Sequence, residues 1–229
     1  MAAMRYSSSG SNKPIREIAY ETLKHAIITG EIPAGIRIVE TEYANKLHIS
    51  RTPLREALRK LERDGLVEYV IRRGVVVRAF TIEDVEEIYT IRNVLEMITL
   101  SAIIKKVTPK DIKALRDKLQ EMDRLMAESN IEKLSTLARS FHDQLTAISG
   151  LKRILRVIQG QDEYIHRFSA LSIAKDTRRA EAHQEHHKIV EMVETKDLEG
   201  LEIIMRKHIE ASKQSCLSAL KETTAQKRE

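Results

Sequence analysis

Apolar residues follow helical spacing over most of this chain. The clearest case is the stretch 50–65, whose apolar positions recur at i, i+3, i+4 and i+7: Leu54, Ala57, Leu58 and Leu61. Ser50 is suited to cap the N-terminus of such a helix, and Gly65 is suited to the left-handed position just beyond its C-terminus. The pattern therefore predicts a short amphipathic helix between these two residues.

Similar patterns upstream predict a helix-turn-helix. Residues 15–29 and 40–47 have the spacing of two further helices, and 36–39 is suited to a short strand. Only His48 and Ile49 separate the second helix from the helix at 50–65. Two helices joined by so short a turn are typical of DNA-binding proteins.

Two runs rich in β-branched residues follow this motif and predict a β-hairpin. The runs are 66–71 and 75–79, and Arg72-Arg73-Gly74 lies between them as a turn. A hairpin directly after a helix-turn-helix forms the wing of a winged helix.

Residues 81–229 show helical patterns throughout, which predicts an antiparallel bundle. Thr81 is suited to cap the first of these helices, which should end near Lys106. Its predicted core face comprises Val85, Ile88, Ile91, Val94, Leu95 and Ile98. The remaining helices are expected at about 109–126, 131–149, 151–169, 175–195 and 197–220. The helix at 151–169 could break at Gly160.

The fold class that follows is mainly α, a winged helix-turn-helix with a small β-hairpin wing followed by an all-α antiparallel helical bundle. We expect four segments along the chain. They are a disordered arm at 1–13, a winged-helix domain at 14–80, an all-helical domain at 81–222 and a tail at 223–229.

The charge is distributed unevenly between the two predicted domains. Residues 1–80 hold 14 Lys and Arg against 9 Asp and Glu, whereas residues 81–229 hold 25 of each. This asymmetry favours an N-terminal module that binds a polyanion, joined to a neutral body. A single cysteine, Cys216, excludes an internal disulfide, and no apolar run approaches the length of a membrane span. With no signal peptide in view, we expect a cytoplasmic protein without a membrane partner.

Arginines form a second stripe on the helix at 50–65, away from its leucines. Arg51, Arg55 and Arg59 are spaced by four residues, and Arg72 and Arg73 lie at the predicted tip of the wing. Arginine pairs bidentately with guanine edges or binds phosphates. A solvated basic surface is the simpler alternative, but the order of helices, arginine stripe and arginine-tipped hairpin favours binding to double-stranded DNA.

The segment 28–77, ITGEIPAGIRIVETEYANKLHISRTPLREALRKLERDGLVEYVIRRGVVV, resembles the winged-helix domain of the GntR transcriptional regulators. Its most specific part is SRTPLREAL at 50–58. The resemblance implies that Arg51 and Arg55 contact DNA, that Thr52 contacts a phosphate between them, and that Arg73 and Gly74 form the wing tip. Where some relatives have an arginine at the start of the second helix, this chain has Thr41.

Three histidines lie on three different predicted helices of the bundle: His142, His186 and His208. A bundle can bring such side chains together, and three imidazoles suit Zn²⁺ or Ni²⁺. Taken from the spacing alone, partly exposed polar histidines are the commoner explanation.

The C-terminal region resembles the FCD ligand-binding domain of the FadR-like branch of this family. The matching segments are 88–96, 141–145, 185–190 and 205–209. The resemblance implies that His142, His186 and His208 are the histidine ligands of a divalent metal.

The resemblance also implies a carboxylate ligand four residues before His142, where this chain has Ala138. Asp143 points about 100° away from His142 around the helix and does not replace it easily. Water or a carboxylate of the effector would then complete the coordination. His183, three residues before His186, is either a substitute ligand or a surface histidine.

Arg92 on the first bundle helix lies in a motif that, by resemblance, faces an effector cavity. A buried guanidinium can hold a carboxylate bidentately, and Glu96 at i+4 can pair with Arg92 and orient it. Tyr89 either lines the same cavity or belongs to the core.

Together these features predict a ligand-responsive bacterial regulator rather than an enzyme. We expect a homodimeric repressor that binds a palindromic operator and responds to a small carboxylate effector, such as an organic acid. A metal-dependent hydrolase that uses the three histidines is the alternative, although no HExxH, P-loop or GxSxG motif is present. A third alternative is an architectural DNA binder with an inert bundle.

Overall fold

A computed structural model describes residues 13–173 and 176–226. Of the predicted N-terminal arm, residues 1–12 lie outside the described part, as do residues 227–229 of the predicted tail. The chain divides into two compact units, and the boundary lies between Phe80 and Thr81. The predicted fold class is confirmed, with a winged helix followed by a helical bundle.

Over residues 13–80, the first unit contains three helices and a small sheet. Its elements are α1 (Ile15–Thr29), β1 (Arg37–Ile38), α2 (Glu40–Lys46), α3 (Arg51–Arg63), β2 (Val67–Val70) and β3 (Gly74–Val77). The strand order is β1-β3-β2 with both pairs antiparallel, and Val67 lies opposite Val77 while Arg37 lies opposite Val76. The predicted short strand is therefore the third strand of the wing sheet.

Helix α3 is oriented by its apolar face. Its four apolar residues are buried, as the i, i+3, i+4, i+7 spacing predicts: Leu54, Ala57, Leu58 and Leu61. Gly65 has a left-handed φ of 71°, which fits its expected position after the helix. Ser50 does occupy the N-cap position, but among the described contacts its side chain makes no capping hydrogen bond.

The described part of the second unit consists of six helices, which are α4 (Ile82–Lys106), α5 (Pro109–Ala127), α6 (Ile131–Ile148), α7 (Lys152–Ile173), α8 (Asp176–Thr195) and α9 (Leu198–Gln226). The expected cap at Thr81 is present as a capping box. The amide of Asp84 donates to Oγ1 of Thr81, and the amide of Thr81 donates to Oδ2 of Asp84. Within the described ranges, no helix combines the length and apolar character needed to cross a bilayer.

Helix α4 turns a different face to the bundle from the one that its apolar pattern predicts. The predicted core face is wrong at Ile91, Val94 and Ile98, which are 40%, 53% and 54% exposed. Arg92 and Glu96 are buried instead, with 8% and 3% exposure. Apolar residues occur on both sides of α4, so spacing does not decide which side packs, and the buried charges neutralise each other one turn apart.

Two helix bounds also differ from the sequence-based expectation. Helix α7 continues through Gly160, because the cost of one helical glycine, roughly 1 kcal/mol, is small beside the packing of the helix against α6 and α9. Helix α9 continues to Gln226, past the expected end near Leu220 and into the predicted tail. No Gly or Pro occurs in 221–226 to end it.

The bundle brings α6, α8 and α9 around a common interior. Helix α9 packs against α4, α7 and α8, while α6 packs against α4, α5 and α7. Phe141 of α6, Ile189 of α8 and Met205 of α9 are among the fully buried residues at this centre. One helical turn or less from each of them lies one of the three predicted ligand histidines.

Candidate functional site

The outer face of α3 carries the predicted DNA-contacting side chains. Arg51, Thr52, Arg55 and Arg59 are all exposed, opposite the buried leucines. Arginines one turn apart on an exposed helix face form a continuous basic ridge, and an α-helix is narrow enough to enter a major groove. The fold thus presents the four side chains together in an orientation suited to contacts with DNA.

Glu40, the first residue of α2, contacts two of these arginines. Its Oε2 accepts hydrogen bonds from Nε of Arg55 at 2.8 Å and from Nη2 of Arg51 at 3.3 Å. Burial acts to raise the pKa of Glu40, but the two arginines outweigh it and hold the pKa below its usual value. The sequence analysis missed this residue. The short turn before α3, which places the start of α2 beside the start of α3, was the available signal.

The wing presents Arg72 and Arg73 to solvent at its tip. Arg72 and Gly74 both have left-handed backbones, with φ of 67° and 78°, which closes the tight turn between β2 and β3. Arg37 of β1, a second residue that the sequence analysis missed, lies beside the tip. Its Nε is 3.7 Å from the point that a Cβ on Gly74 would occupy. The wing therefore carries a third arginine beside Gly74, in addition to Arg72 and Arg73.

The three predicted ligand histidines converge inside the bundle. Nε2 of His142 lies 3.1 Å from Nε2 of His186 and 3.2 Å from Nε2 of His208. A tetrahedral Zn²⁺ with Zn–N bonds of about 2.0–2.1 Å separates its nitrogen ligands by roughly 3.3 Å. The two separations from His142 are therefore those of a metal site, and all three ligand atoms lie within 4.8 Å of one another.

Hydrogen bonding alone does not account for this arrangement. A neutral imidazole nitrogen offers either one hydrogen or one lone pair in the ring plane, yet Nε2 of His142 faces two other nitrogens. Within the described part of the chain, the Nδ1 atoms of His142 and His186 are buried without a hydrogen-bond partner. A cation at the centre would use all three lone pairs, so the residues present fit a divalent metal.

The surroundings keep these imidazoles uncharged. Burial lowers the pKa of His142 and of His186 well below the usual value, and the nearby Arg92 lowers both further. Burial also lowers the pKa of His208, although its hydrogen bond to Glu185 opposes the shift. Neutral imidazole is the form that ligates a metal, because its lone pair is free.

Glu185 and Arg178 of α8 support the third histidine. Oε2 of Glu185 accepts hydrogen bonds from Nδ1 of His208 and from Nη1 and Nη2 of Arg178, each at 2.9 Å. Burial acts to raise the pKa of Glu185, but these hydrogen bonds lower it to about 2. The ionised carboxylate fixes the His208 tautomer and directs the Nε2 lone pair at the other two histidines. The sequence analysis missed both residues; their i, i+7 spacing on one helix was the available signal.

The described part of the structure supplies no carboxylate in place of the ligand that is missing at Ala138. Ala138 stands one turn before His142 on α6, and within the described residues no carboxylate joins the three Nε2 atoms in a cluster. Asp143 instead contributes to the electrostatic surroundings of Lys118 on α5. His183 belongs to a separate group, because its Nε2 contacts Oδ1 of Asp123 and Nε2 of His187. It is buried, so it is not a surface histidine either.

The predicted effector residues lie on the buried face of α4. Nε of Arg92 donates to Oε1 of Glu96, so the expected i, i+4 pair is present in the interior. Tyr89 is also buried, and its hydroxyl lies 3.1 Å from Sγ of Cys216 on α9. Arg92 is close enough to the three histidines for its charge to lower their pKa values.

Comparison with protein families gives two matches that divide the chain as the structure does. Residues 15–77 match the bacterial regulatory proteins of the gntR family, and residues 87–211 match the FCD domain. The first match covers the winged helix with its arginines. The second covers α4 to α9 as far as residue 211 and includes all three converging histidines.

Individual relatives agree with these matches. The HTH-type transcriptional regulator YdhC of Bacillus subtilis is 29% identical over 79% of this chain and 81% of its own length. The Nta operon transcriptional regulator of Aminobacter aminovorans is 30% identical over 69% of this chain and 74% of its own. A crystal structure of a GntR family member from Pseudomonas syringae pv. tomato superposes with a TM-score of 0.56 and 26% identity, covering 95% and 92% of the two chains.

Proposed function

Since this chain belongs to the GntR family of DNA-binding transcriptional regulators and carries an FCD domain, we propose that it is a metabolite-controlled repressor that binds a palindromic operator as a homodimer. The observation that carries the proposal is the exposed arginine ridge on α3 beside the arginine-tipped wing. In this assignment Arg55 and Arg51 read base edges in the major groove. Thr52 and Arg59 contact phosphates, and Arg72 and Arg73 contact the backbone or minor groove with Gly74 at the turn.

An exposed apolar stripe on α4 supports dimerisation. Ile91, Val94 and Ile98, called the outer stripe below, follow the i, i+3, i+7 spacing of one helix face and are 40–54% exposed. A twofold-symmetric pair of such faces would bury the stripe against its own copy. Two winged helices related by the same axis would then match the symmetry of a palindromic site.

The interior of the bundle is the proposed effector site. His142, His186 and His208 would hold a divalent cation, Zn²⁺ or Ni²⁺, and a bound cation supplies a Lewis-acidic position for an anionic ligand. Because Ala138 offers no carboxylate, at least one coordination position is left for water or for the effector. Arg92, held by Glu96, would pair with a second carboxylate oxygen, and Tyr89 packs beside it.

Control of DNA binding follows from differential affinity. An organic acid that binds one conformation of the protein more tightly than another shifts the population between them, and DNA affinity shifts with it. We assign the sign as repression that the effector relieves. A DNA-binding regulator of this kind acts in the cytoplasm.

The test uses the full chain with an operator obtained by selection from random duplexes. Affinity for that duplex and for a random duplex is measured by fluorescence anisotropy, with and without malate, citrate and lactate, before and after removal of metal by a chelator. We expect a large preference for the selected duplex and a weaker affinity with at least one of the acids. Equal affinity for selected and random duplexes at moderate salt would overturn the assignment.

The alternatives predict different results, the first in a separate hydrolase assay and the second in the DNA-binding experiment. A hydrolase that uses the histidines would turn over ester or amide substrates, and a chelator would abolish that turnover; the relatives reported above are named as regulators, which lends this alternative no support. An architectural DNA binder would show no dependence on acid or metal. We assign no enzymatic activity to the chain.

A further inference from the structure

A second histidine cluster lies between α5 and α8, separate from the three buried histidines. It comprises Asp123 of α5 with His183 and His187 of α8, and its three ligand atoms lie within 4.8 Å of one another. We infer that these residues form a second divalent-cation site, which takes an ion of the zinc type from solvent. We call this cluster the outer site and the buried histidines the core site.

The contacts of His183 carry the inference. Its Nε2 lies 2.6 Å from Oδ1 of Asp123 and 3.2 Å from Nε2 of His187. A ring nitrogen that donates its hydrogen to the carboxylate has no in-plane lone pair left to accept from His187, and one that accepts from His187 has no hydrogen to give to Asp123. One pattern of hydrogen bonds therefore satisfies only one of the two contacts, whereas a cation between the three atoms satisfies both.

The remaining geometry agrees with a shared ion. Nε2 of His187 is 3.7 Å from Oδ1 of Asp123 and 3.2 Å from Nε2 of His183, and both separations lie near the roughly 3.3 Å expected between ligands of a tetrahedral ion. The 2.6 Å contact between His183 and Asp123 is a hydrogen-bond distance, and it would lengthen when the two groups hold an ion. His183 and His187 are one turn apart on α8, an i, i+4 spacing that places two imidazoles on the same helix face. Two imidazoles and one carboxylate are the ligand set of Zn²⁺ and its neighbours rather than of Mg²⁺ or Ca²⁺.

Accessibility distinguishes the outer site from the core site. The side chains of Asp123 and His187 are 55% and 49% exposed, whereas that of His183 is 10% exposed and supplies a fixed anchor. Three protein ligands leave room for water on the solvent side. Such a site exchanges its ion readily, so its occupancy follows the free metal concentration more closely than that of the buried site.

An ion at the outer site would join α5 to α8, the helix that also supplies His186 to the core site. The ion pair between Arg116 of α5 and Glu194 of α8 already links the two helices further along. His183 lies three residues before His186 on this helix. The two sites therefore share one helix, and outer-site occupancy would stabilise the helix on which the core site depends.

The experiment counts bound metal on the full chain. Protein stripped with a chelator is equilibrated with Zn²⁺, separated from free metal, and analysed by elemental mass spectrometry; Co²⁺ absorption spectra report the ligand geometry in parallel. The variants are His187→Ala for the outer site, His142→Ala for the core site, the pair combined, and His25→Ala as a control for loss of an exposed histidine outside both clusters.

We expect two ions bound to the unmodified chain and to His25→Ala, one to each single-site variant, and none to the combined variant. In the His142→Ala background, Asp123→Asn should weaken the affinity of the outer site for Zn²⁺ by at least tenfold. His187 and Asp123 are about half exposed, so these variants should keep the helical circular dichroism of the parent. The proposal is overturned if His187→Ala binds as much Zn²⁺ as the unmodified chain, or if His142→Ala binds none while retaining its fold.

Discussion

Glu40 and Arg55 are joined by a hydrogen bond of 2.8 Å between Oε2 and Nε, and Arg51 shares the same oxygen. The carboxylate thus holds two guanidinium groups at the start of α3 in fixed positions. It also cancels part of the positive charge that attracts any polyanion. The first effect favours discrimination between operator and random DNA, and the second lowers affinity for any duplex.

Glu40→Gln should therefore reduce discrimination between the operator and random duplex. We expect affinity for random duplex to rise a few-fold because one negative charge is lost, while affinity for the operator stays level or falls because the arginines are less well held. The ratio of the two dissociation constants, measured at the same salt concentration, is the readout. A ratio equal to that of the unmodified chain would contradict the assigned role of Glu40.

Arg55→Ala should cost operator affinity by about 1–3 kcal/mol if the guanidinium reads a base edge. Arg63→Ala is the matched control, since it removes another exposed arginine of α3 that lies outside the assigned contacts. We expect the control to lower affinity for both duplexes slightly and equally. If both variants behave alike, the ridge binds through charge alone.

Glu185→Gln should weaken metal binding at the core site by about 10–100-fold, because the amide orients His208 less strongly than the carboxylate does. The dissociation constant for Zn²⁺ is measured by competition with a chelator, in a His187→Ala background so that only the core site is counted. Glu191→Gln, which changes an exposed carboxylate on the same helix, is the control. Equal dissociation constants for the two variants would remove Glu185 from the site.

Arg92→Met should lower the free energy of unfolding by about 3 kcal/mol, because it leaves the carboxylate of Glu96 buried without its partner. Combining it with Glu96→Leu should restore much of the loss, since an apolar pair often replaces a buried ion pair at little cost. Urea unfolding of the three proteins provides the measurement. A single variant as stable as the parent would show that water reaches Glu96.

Cys216 should react slowly with thiol reagents in the folded protein. Burial raises its pKa to about 11 despite its contact with Tyr89, so the reactive thiolate is scarce at neutral pH. The rate with Ellman's reagent should rise about tenfold per pH unit between pH 7 and 9, since both values lie below the pKa. Unfolding in guanidinium chloride should raise the rate far more. Rapid labelling of the native chain would contradict the burial of this thiol.

Local sequence patterns were sufficient to predict the winged helix. The leucines and arginines of α3 both recur with the helical period but on different faces. A helix with one apolar face packs that face against the core, so its orientation is predictable. The family resemblance identified the three histidines, because their sequence spacing alone does not show that α6, α8 and α9 meet. Glu40, Arg178 and Glu185 were missed since each acts through a partner on another element or several turns away.

The orientation of α4 was not predictable from its sequence pattern. Both sides of this helix are apolar, and the side that packs inward is the one that carries Arg92 and Glu96. Periodicity reports how often apolar residues recur, not whether a charged pair can be neutralised in the interior. The outer site was missed for a related reason, because Asp123 is distant in sequence from His183 and His187.

Helix α4 has the buried Arg92 and Glu96 on one side and the outer stripe on the other. A helix moves as a stiff rod, so a push on its inner side displaces its outer side by a similar amount. A ligand that pulls Arg92 inward by a fraction of an ångström would shift the isoleucine and valine surface with it. Under the proposed mechanism, no other element is needed to transmit the movement, because Arg92 and the outer stripe belong to the same helix.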